Sequence, residues 1–408
     1  MSETDTELSR AEHKQSVRIL ALISTGHALS NFYILCLPAL IPFLKVEFAV
    51  SYTFLGLLLS TRSITTGFFQ IPVGFMVDRI GGKIVLVTGL FILSISVALL
   101  AVIPSFWYAM PLMVTFGIGI ASMRPSNYTI INASMPSAWI GRAFGINMFA
   151  GHAGRVVAPP LLVTSALLWG WRVAVVIAGV LGIIVTFGLM TQWKNVRDDS
   201  IGKKPPGGLG FFQEIRSLAS GSLMVFFVFF IFNALGTHGI HSFIVAALAE
   251  LHNTPLTVAS GALTVYLVAS AIGVLGGGFI VDKTPRHTFL AVTVLVSSGV
   301  LLILLGTLTM PLFAIIILMS FIGLFQGALR PARDMLMRAV IPRESFGKAI
   351  GMVATGAAFG GASAPVIFGW ILDSGNPSWL FYVLAGCLAI LVVTVLIPKK
   401  AISVPTVP

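Results

Sequence analysis

The sequence predicts an all-α polytopic membrane protein with twelve transmembrane helices in two pseudo-symmetric six-helix bundles. Hydrophobic residues make up 57% of the chain and charged residues only 10%, with a mean hydropathy of +0.98. Such a chain cannot cover a water-exposed surface. Apolar windows of about 20 residues, the length that crosses the hydrocarbon core, recur throughout it. A segment of the first half is also repeated in the second half.

The apolar windows follow each other with short polar breaks. They lie near 17–44, 53–77, 84–104, 109–135, 142–168 and 172–193, and then near 222–249, 257–281, 288–308, 311–341, 347–372 and 378–398. Continuous apolar runs such as residues 226–232 exclude a transmembrane β-barrel, whose strands alternate in polarity. We therefore expect six-helix bundles at 17–193 and 221–398, a linker rich in Lys, Gly and Pro at 194–220, and tails at 1–16 and 399–408.

Basic residues are placed asymmetrically between the two sides of these spans. With the N-terminus inside, the outer loops hold only Lys45 and Arg172. The inner segments hold Arg10, Lys14, Arg18, Arg79, Lys83, Arg142, Lys194, Arg197, Lys203, Lys204, Arg216, Lys283, Arg286, Arg343, Lys348, Lys399 and Lys400. This bias predicts that both termini, both tails and the linker are cytoplasmic. We expect a multi-pass protein of the cell membrane, a bacterial inner membrane. The net charge of +11 then needs no nucleic acid to explain it.

Residues 124–159 and 330–365 are two copies of one segment, offset by 206 positions. Each copy opens with Arg-Pro inside a hydrophobic stretch, where proline removes a backbone N–H and kinks a helix. The identical pairs are Arg124/Arg330, Pro125/Pro331, Ala133/Ala339, Pro136/Pro342, Gly141/Gly347, Ala143/Ala349, Gly145/Gly351, Gly154/Gly360, Ala158/Ala364 and Pro159/Pro365. Interrupted spans at matching positions of two halves are typical of secondary transporters with a binding site at the membrane midplane.

The inner ends of spans 2 and 8 carry a second repeated pattern. Span 2 ends in Gly74-Phe75-Met76-Val77-Asp78-Arg79-Ile80-Gly81-Gly82-Lys83, and span 8 ends in Gly278-Phe279-Ile280-Val281-Asp282-Lys283. This pattern resembles the signature of the major facilitator superfamily (MFS): Gly, three residues, Asp followed by Arg or Lys, then Gly and basic residues. With six spans, a linker and six more spans, the resemblance covers essentially the whole chain. It implies the MFS fold and transport by alternating access.

The resemblance also implies a cytoplasmic gate that locks the outward-facing state. Its residues would be Gly74, Asp78, Arg79, Gly81 and Lys83, with Asp282 as the counterpart in the second half. The sequence departs from the signature at Gly82, where a base is expected, and the second copy has Thr284-Pro285-Arg286 instead of a second Gly. Gly154 to Pro159 and Gly360 to Pro365 resemble degraded copies of an antiporter motif of this family. Small residues at that spacing predict close helix packing.

In-span arginines predict an anionic cargo. By residue count, Arg124, Arg155 and Arg330 lie deepest in their spans. Arg333 and Arg338 lie nearer the cytoplasmic end, and Arg62 lies about ten residues into span 2. Burying a guanidinium in the bilayer is costly, so these side chains should face a cavity, where they match carboxylate or phosphate groups. The alternative is that Arg124 and Arg330 pair with internal acids or carbonyls and only hold the bundle together.

Further ligands are expected from the spans around these arginines. Tyr128 lies one turn after Arg124. In the MFS, spans 1 and 7 line the cavity, so the resemblance favours His27, Asn31, Tyr33, His238 and His241 as substrate-binding residues.

Only a few in-span groups can carry a proton. Asp334 is the one acid well inside a span, four residues from both Arg330 and Arg338, and is expected to pair with them. It is either a structural counter-ion or a proton site that releases Arg330 when protonated. Histidine is the other candidate type, because it titrates near neutral pH. We select Asp334 and His241 as proton-coupling residues and keep His27, His152 and His238 as weaker candidates.

The sequence thus predicts a proton-coupled secondary transporter of a small organic anion, of carboxylate or phosphonate type. Its partners would be the anion, protons and the lipid bilayer, and it would act as a monomer. No cofactor, metal site, nucleic-acid partner or enzymatic activity is expected, because no phosphate-binding loop or metal-ligand spacing is present. Two alternatives stay open: a proton-driven drug efflux pump, like the fosmidomycin-resistance branch of the MFS, and a non-transporting membrane sensor on the same scaffold.

Overall fold

The computed structural model describes residues 3–136, 139–193, 221–341 and 346–397. Every long regular element in these ranges is an α-helix. The helices are α1 (Glu3–Ile34), α2 (Cys36–Phe48), α3 (Tyr52–Ile80), α4 (Gly82–Leu99), α5 (Ala109–Ser134), α6 (Ile140–Trp169), α7 (Trp171–Thr191), α8 (Gly221–His252), α9 (Leu256–Lys283), α10 (His287–Thr307), α11 (Leu312–Arg338), α12 (Phe346–Asp373) and α13 (Ser378–Leu396). The predicted linker at 194–220 and tail at 399–408 lie outside the described residues, whereas most of the predicted tail at 1–16 belongs to α1.

Ten helical stretches in the described part of the chain are long and apolar enough to cross a membrane. The first of them, Lys14–Phe48, runs through α1 and α2. Helices α3 and α6, with 29 and 30 residues, are long enough but are not among the ten. They carry Arg62 and Arg155 within otherwise apolar sequence. The predicted all-helical membrane fold is confirmed, and the count of twelve spans stays a prediction.

The chain forms two compact units whose boundaries cross two helices. Unit 1 comprises Met1–Phe43 and Thr61–Pro205, and unit 2 comprises Leu44–Ser60 and Pro206–Pro408. The predicted bundles at 17–193 and 221–398 therefore differ from the units in one segment. Leu44–Ser60, which contains the end of α2 and the start of α3, belongs to unit 2 although the sequence places it in the first half.

Each unit contains a pair of closely packed helices that is built in the same way. In unit 1, α6 packs along α1, and α4 packs against both α5 and α7. In unit 2, α12 packs along α8, α9 along α11, and α10 along α13. A Cβ atom on Gly154 of α6 would overlap the Ala28 carbonyl of α1, and one on Gly360 of α12 would overlap the Ile231 carbonyl of α8. The repeated glycines pack two backbones together in each unit, as predicted.

The junction between α1 and α2 shows how one in-span arginine is used. Pro38 has no N–H, so the Ile34 carbonyl loses the donor that would normally lie one turn later. Arg62 Nη1 donates to this carbonyl at 2.8 Å, and its guanidinium lies 6.0 Å from the Phe116 ring centre. Only 6% of Arg62 is exposed. Arg62 therefore supplies the hydrogen bond that the Ile34 carbonyl lacks at the helix break, instead of facing a ligand.

Candidate functional site

A hydrogen-bonded cluster of polar side chains joins α1, α5 and α6 within unit 1. Arg155 Nε donates to Asn31 Oδ1 at 2.9 Å. Asn31 Nδ2 donates to the His27 carbonyl at 2.8 Å and lies 3.3 Å from His27 Nε2. On the other side of the ring, the Asn127 amide lies 3.2 Å from His27 Nδ1. The cluster brings together three predicted residues, His27, Asn31 and Arg155, and adds Asn127.

The direction of these hydrogen bonds determines the tautomer of the His27 ring. Arginine can only donate, so Asn31 must turn its oxygen to Arg155 and its amino group to His27. Nε2 is then an acceptor, and the hydrogen of the neutral ring lies on Nδ1. Asn127 Oδ1 is buried and makes no hydrogen bond among the described residues, so the Asn127 amide is best oriented with this oxygen accepting from Nδ1. The arrangement accommodates neutral His27.

Arg124 and Tyr128 lie on the solvent-accessible side of α5. Arg124 is exposed and close enough to His27 to interact electrostatically. Among the described residues Arg124 forms no hydrogen bond or ion pair. Tyr128 is 43% exposed, and its ring lies 4.8 Å from the ring of Phe144 in α6. Both side chains of the predicted pair are therefore exposed.

Tyr33 has a structural role instead of the predicted binding role. Its side chain is fully buried, and its hydroxyl donates to the Ala178 carbonyl of α7 at 2.7 Å. The hydroxyl also lies 3.4 Å from Ser94 Oγ of α4. Because Tyr33 follows Asn31 by two residues on a helix, it points to a different face. We remove it from the candidate ligands.

In unit 2 the ion pair of Asp334 differs from the predicted one. Arg333 donates from Nε and Nη2 to Asp334 Oδ1, at 3.0 and 2.8 Å. The Arg333 guanidinium also lies 4.7 Å from the ring centre of Phe230 in α8, which places it beside the neighbouring carboxylate. The prediction that Asp334 pairs with Arg330 and Arg338 is therefore wrong. Arg330 is half-buried and forms no hydrogen bond or ion pair with any described residue.

The two predicted histidines of α8 lie against other helices of unit 2. The His238 ring is close to Gly361 of α12, where an added Cβ would come within 3.0 Å of Nε2. The His241 ring makes an edge contact with Tyr266 of α9, with 6.1 Å between ring centres. Tyr266 is also close enough to Arg330 to interact electrostatically. His241, Tyr266 and Arg330 therefore belong to one region of unit 2.

Two buried amides were not expected from the sequence. Asn127 and Asn147 are each 1% exposed, and each has an oxygen without a hydrogen-bond donor among the described residues. Asn127 follows Arg124 by three residues, a spacing that could have indicated it. Asn147 precedes Arg155 by eight residues, about two turns, on the same helix. Without knowledge of helix rotation, neither could be told from a packing residue.

Comparison with known proteins shows which family has this architecture. The sequence profile described as Major Facilitator Superfamily matches residues 21–241 and again residues 227–406. The chain belongs to the major facilitator superfamily. Its members are transporters rather than enzymes, as the sequence predicted.

Individual MFS relatives agree over different parts of the chain. A hexuronate transporter of Bacillus subtilis is 23% identical over 371 residues, covering 86% of this chain and 86% of the relative. A probable L-galactonate transporter of Escherichia coli is 32% identical over 152 residues, so the chain covers only 34% of that relative's length. A bacterial homolog of the human lysosomal transporter Spinster, solved in an inward-facing and occupied conformation, has a TM-score of 0.75 at 17% identity. That alignment covers 92% of this chain and 94% of the solved one, and it shows the fold.

The residues of the predicted MFS gate lie at the junction of α3 and α4 and at the end of α9. Gly81 has φ of 97°, a conformation that side chains disfavour, and it makes the turn into α4. Lys83 Nζ donates to the Trp193 carbonyl at 3.1 Å and lies 5.2 Å from the Trp193 ring centre. Gly74, Asp78 and Arg79 are partly or fully accessible, and so is Asp282. Asp78 forms no ion pair with a described residue, and the gate role stays a prediction.

Proposed function

We propose that this MFS chain is a secondary active transporter that moves a small organic anion by alternating access. The observation that carries the proposal is the unit 1 cluster, in which Asn31 orients Arg155 while Arg124 is exposed and unpaired among the described residues. A guanidinium held by an amide, with no carboxylate in the cluster, favours an anion over a cation. The names of the hexuronate and L-galactonate transporters support a carboxylate cargo.

Arg330 would supply the second cationic group. Its position is equivalent to that of Arg124 in the internal repeat, and its half-buried side chain is unpaired among the described residues. A proline follows each of the two arginines inside a continuous helix. Each proline removes one backbone N–H from the helix next to its arginine.

We infer that His27 links transport to protons. A proton on Nε2 would turn the acceptor that faces the Asn31 amino group into a donor. Two donors would then face each other, so Asn31 would move and release Arg155. Lowering the pH would therefore change how Arg155 is held, which is the coupling that a proton-driven carrier needs. Asp334, paired with Arg333, and His241 are the competing proton carriers.

The anion proposal is tested by binding to purified protein. Arg124→Ala and Arg330→Ala should each weaken galactonate binding by about ten- to a hundredfold, because a hydrogen bond to a charged group is lost. Arg338→Ala is the matched control, since this exposed arginine lies at the end of α11. The proposal is overturned if all three variants bind galactonate, glucuronate and simple carboxylates as the unaltered protein does.

Proton coupling is tested in proteoliposomes. His27→Gln should still exchange labelled substrate across the membrane but should lose uptake driven by an imposed pH gradient. Asp334→Asn should keep both activities if His27 carries the proton. The opposite pattern in the two variants would assign the proton to Asp334, and unchanged gradient-driven uptake in His27→Gln would exclude His27.

A further inference from the structure

A small cavity with a mostly apolar wall lies inside unit 2, among α8, α9, α10, α11 and α13. Its polar lining consists of Asn233, Thr237, Tyr266 and Gln326, and the rest of the wall is formed by Gly236, Ile240, Leu302, Leu384, Leu388 and Leu391. The volume of about 10 Å³ has room for one water-sized group. None of the four polar side chains makes a hydrogen bond to any described residue. Convergent polar groups without partners around one space indicate a ligand.

The internal repeat pairs Gly361 of α12 with Arg155 of α6. Unit 2 therefore has no guanidinium at the position that Arg155 occupies in unit 1.

Arg330 lies next to this cavity along α11. Gln326 precedes Arg330 by four residues, so both side chains lie on one face of the helix. Tyr266, which lines the cavity, is close enough to Arg330 to interact electrostatically. If the carboxylate of the cargo binds to Arg330, the carbon atoms next to that carboxylate lie near the neutral polar groups of the cavity.

We propose that the cavity of Asn233, Thr237, Tyr266 and Gln326 is a subsite for a hydroxyl group of the cargo. It rests on the proposed anion transport and narrows the cargo to hydroxylated carboxylates. Amide and hydroxyl side chains both donate and accept hydrogen bonds, which matches an alcohol. A metal cation is disfavoured, because no carboxylate lines the cavity. The one-water volume fits a single hydroxyl.

The test compares two carboxylates of equal chain length. Galactonate is hydroxylated along its chain, and hexanoate has the same number of carbons without hydroxyls. The ratio of their dissociation constants is measured for the purified full chain. Thr237→Val and Tyr266→Phe should each reduce the preference for galactonate by about three- to tenfold, the effect of one hydrogen bond, and leave hexanoate binding unchanged.

Two control variants remove hydroxyls of unit 2 that do not line the cavity. Thr264 donates to the Ser260 carbonyl at 3.0 Å and Tyr382 to the Gly306 carbonyl at 3.2 Å, so Thr264→Val and Tyr382→Phe should leave the ratio unchanged. An equal ratio in wild type and cavity variants, with both anions still bound, would overturn the subsite alone. A lower melting temperature of the cavity variants, with no change in the ratio of dissociation constants, would show that the cavity holds only a structural water. This outcome also overturns the proposal. Failure of both anions to bind wild type would overturn the proposed function itself.

Discussion

The arginines within the spans have different roles, although burying the charge of each one in a membrane costs free energy. Arg62 donates to the carbonyl that Pro38 leaves without a partner, and Arg333 pairs with its neighbour Asp334. Arg155 is held by an amide, and Arg124 and Arg330 are unpaired among the described residues. The partner of each guanidinium separates structural arginines from candidate ligands.

The pairing of Arg62 with the Ile34 carbonyl can be tested by a double mutant. Arg62→Met should lower the free energy of unfolding by about 1–3 kcal/mol, the usual effect of leaving a buried acceptor unsatisfied. Pro38→Ala supplies the missing N–H, so the same Arg62 change should cost much less in that background. Unfolding by denaturant in detergent measures both effects. Equal losses in the two backgrounds would contradict this role.

Asn31 is expected to act through Arg155. Asn31→Leu removes the oxygen that accepts from Arg155 Nε, so galactonate binding should weaken by about tenfold even though another residue carries the charge. Asn31→Asp keeps an acceptor for Arg155 and should retain the oriented guanidinium, but it adds a negative charge that opposes anion binding. Dissociation constants over a range of salt concentrations separate the two effects. A salt-independent loss in both variants would argue against an electrostatic role.

Pairs of helices in each unit are held together by positions without side chains. Gly154 lies against the Ala28 carbonyl and Gly360 against the Ile231 carbonyl, so the repeated motif serves the same purpose twice. Dispersion and close backbone approach drive such packing in lipid. The small residue was predictable from the sequence, but its partner carbonyl was not, because that depends on how two helices are rotated.

Substitution of these glycines should destabilise each unit. Gly154→Ala and Gly360→Ala place a methyl group against backbone that cannot move aside, and overpacking of this kind costs about 1–3 kcal/mol. Gly145→Ala and Gly351→Ala are the matched controls from the same helices and the same repeat, since a Cβ there meets nothing within 4 Å. The controls should be neutral or stabilising, because alanine favours helix more than glycine does. Equal melting temperatures of all four variants would refute the packing argument.

At the scale of the whole molecule, Leu44–Ser60 connects at both ends to unit 1 but belongs to unit 2. Asp373 at the end of α12 accepts hydrogen bonds from the Tyr52 and Thr53 amides, both at 2.8 Å, and from Thr53 Oγ1 at 2.6 Å. The carboxylate caps the N-terminus of α3. Glu250 of α8 accepts from the Tyr52 hydroxyl at 2.6 Å and pairs with Lys45 at 3.4 Å. These bonds join Leu44–Ser60 to α8 and α12 within unit 2.

Removal of the Asp373 cap should loosen the segment. In Asp373→Ala the amides of residues 52 and 53 should exchange hydrogen faster by about two- to thirtyfold, since losing an N-cap costs about 0.5–2 kcal/mol. Hydrogen exchange followed by mass spectrometry of the purified protein measures this directly. Asp282→Ala removes an exposed carboxylate elsewhere in unit 2 and should leave exchange at these amides unchanged. Unaltered exchange in Asp373→Ala would show that other contacts hold the segment.

The sequence by itself determined that this is a membrane protein, that it is helical, that its halves are duplicated and which superfamily it resembles. These properties follow from composition, from window length and from residues at fixed spacing, all of which are local or repeat along one chain. It also selected Arg155, because arginines inside apolar spans are few, and the resemblance to the MFS pointed to His27 and Asn31.

Only the tertiary structure decided which polar groups are available. In the structure Tyr33 is buried and Asp334 pairs with Arg333. Arg62 donates to the carbonyl at the break between α1 and α2, and a cavity lies beside Arg330. The structure also places Leu44–Ser60 in unit 2. Each of these outcomes depends on how helices distant in sequence are rotated and packed, and hydropathy and spacing do not encode that rotation. Two side chains become partners only after the rotation and the packing of both helices bring them together.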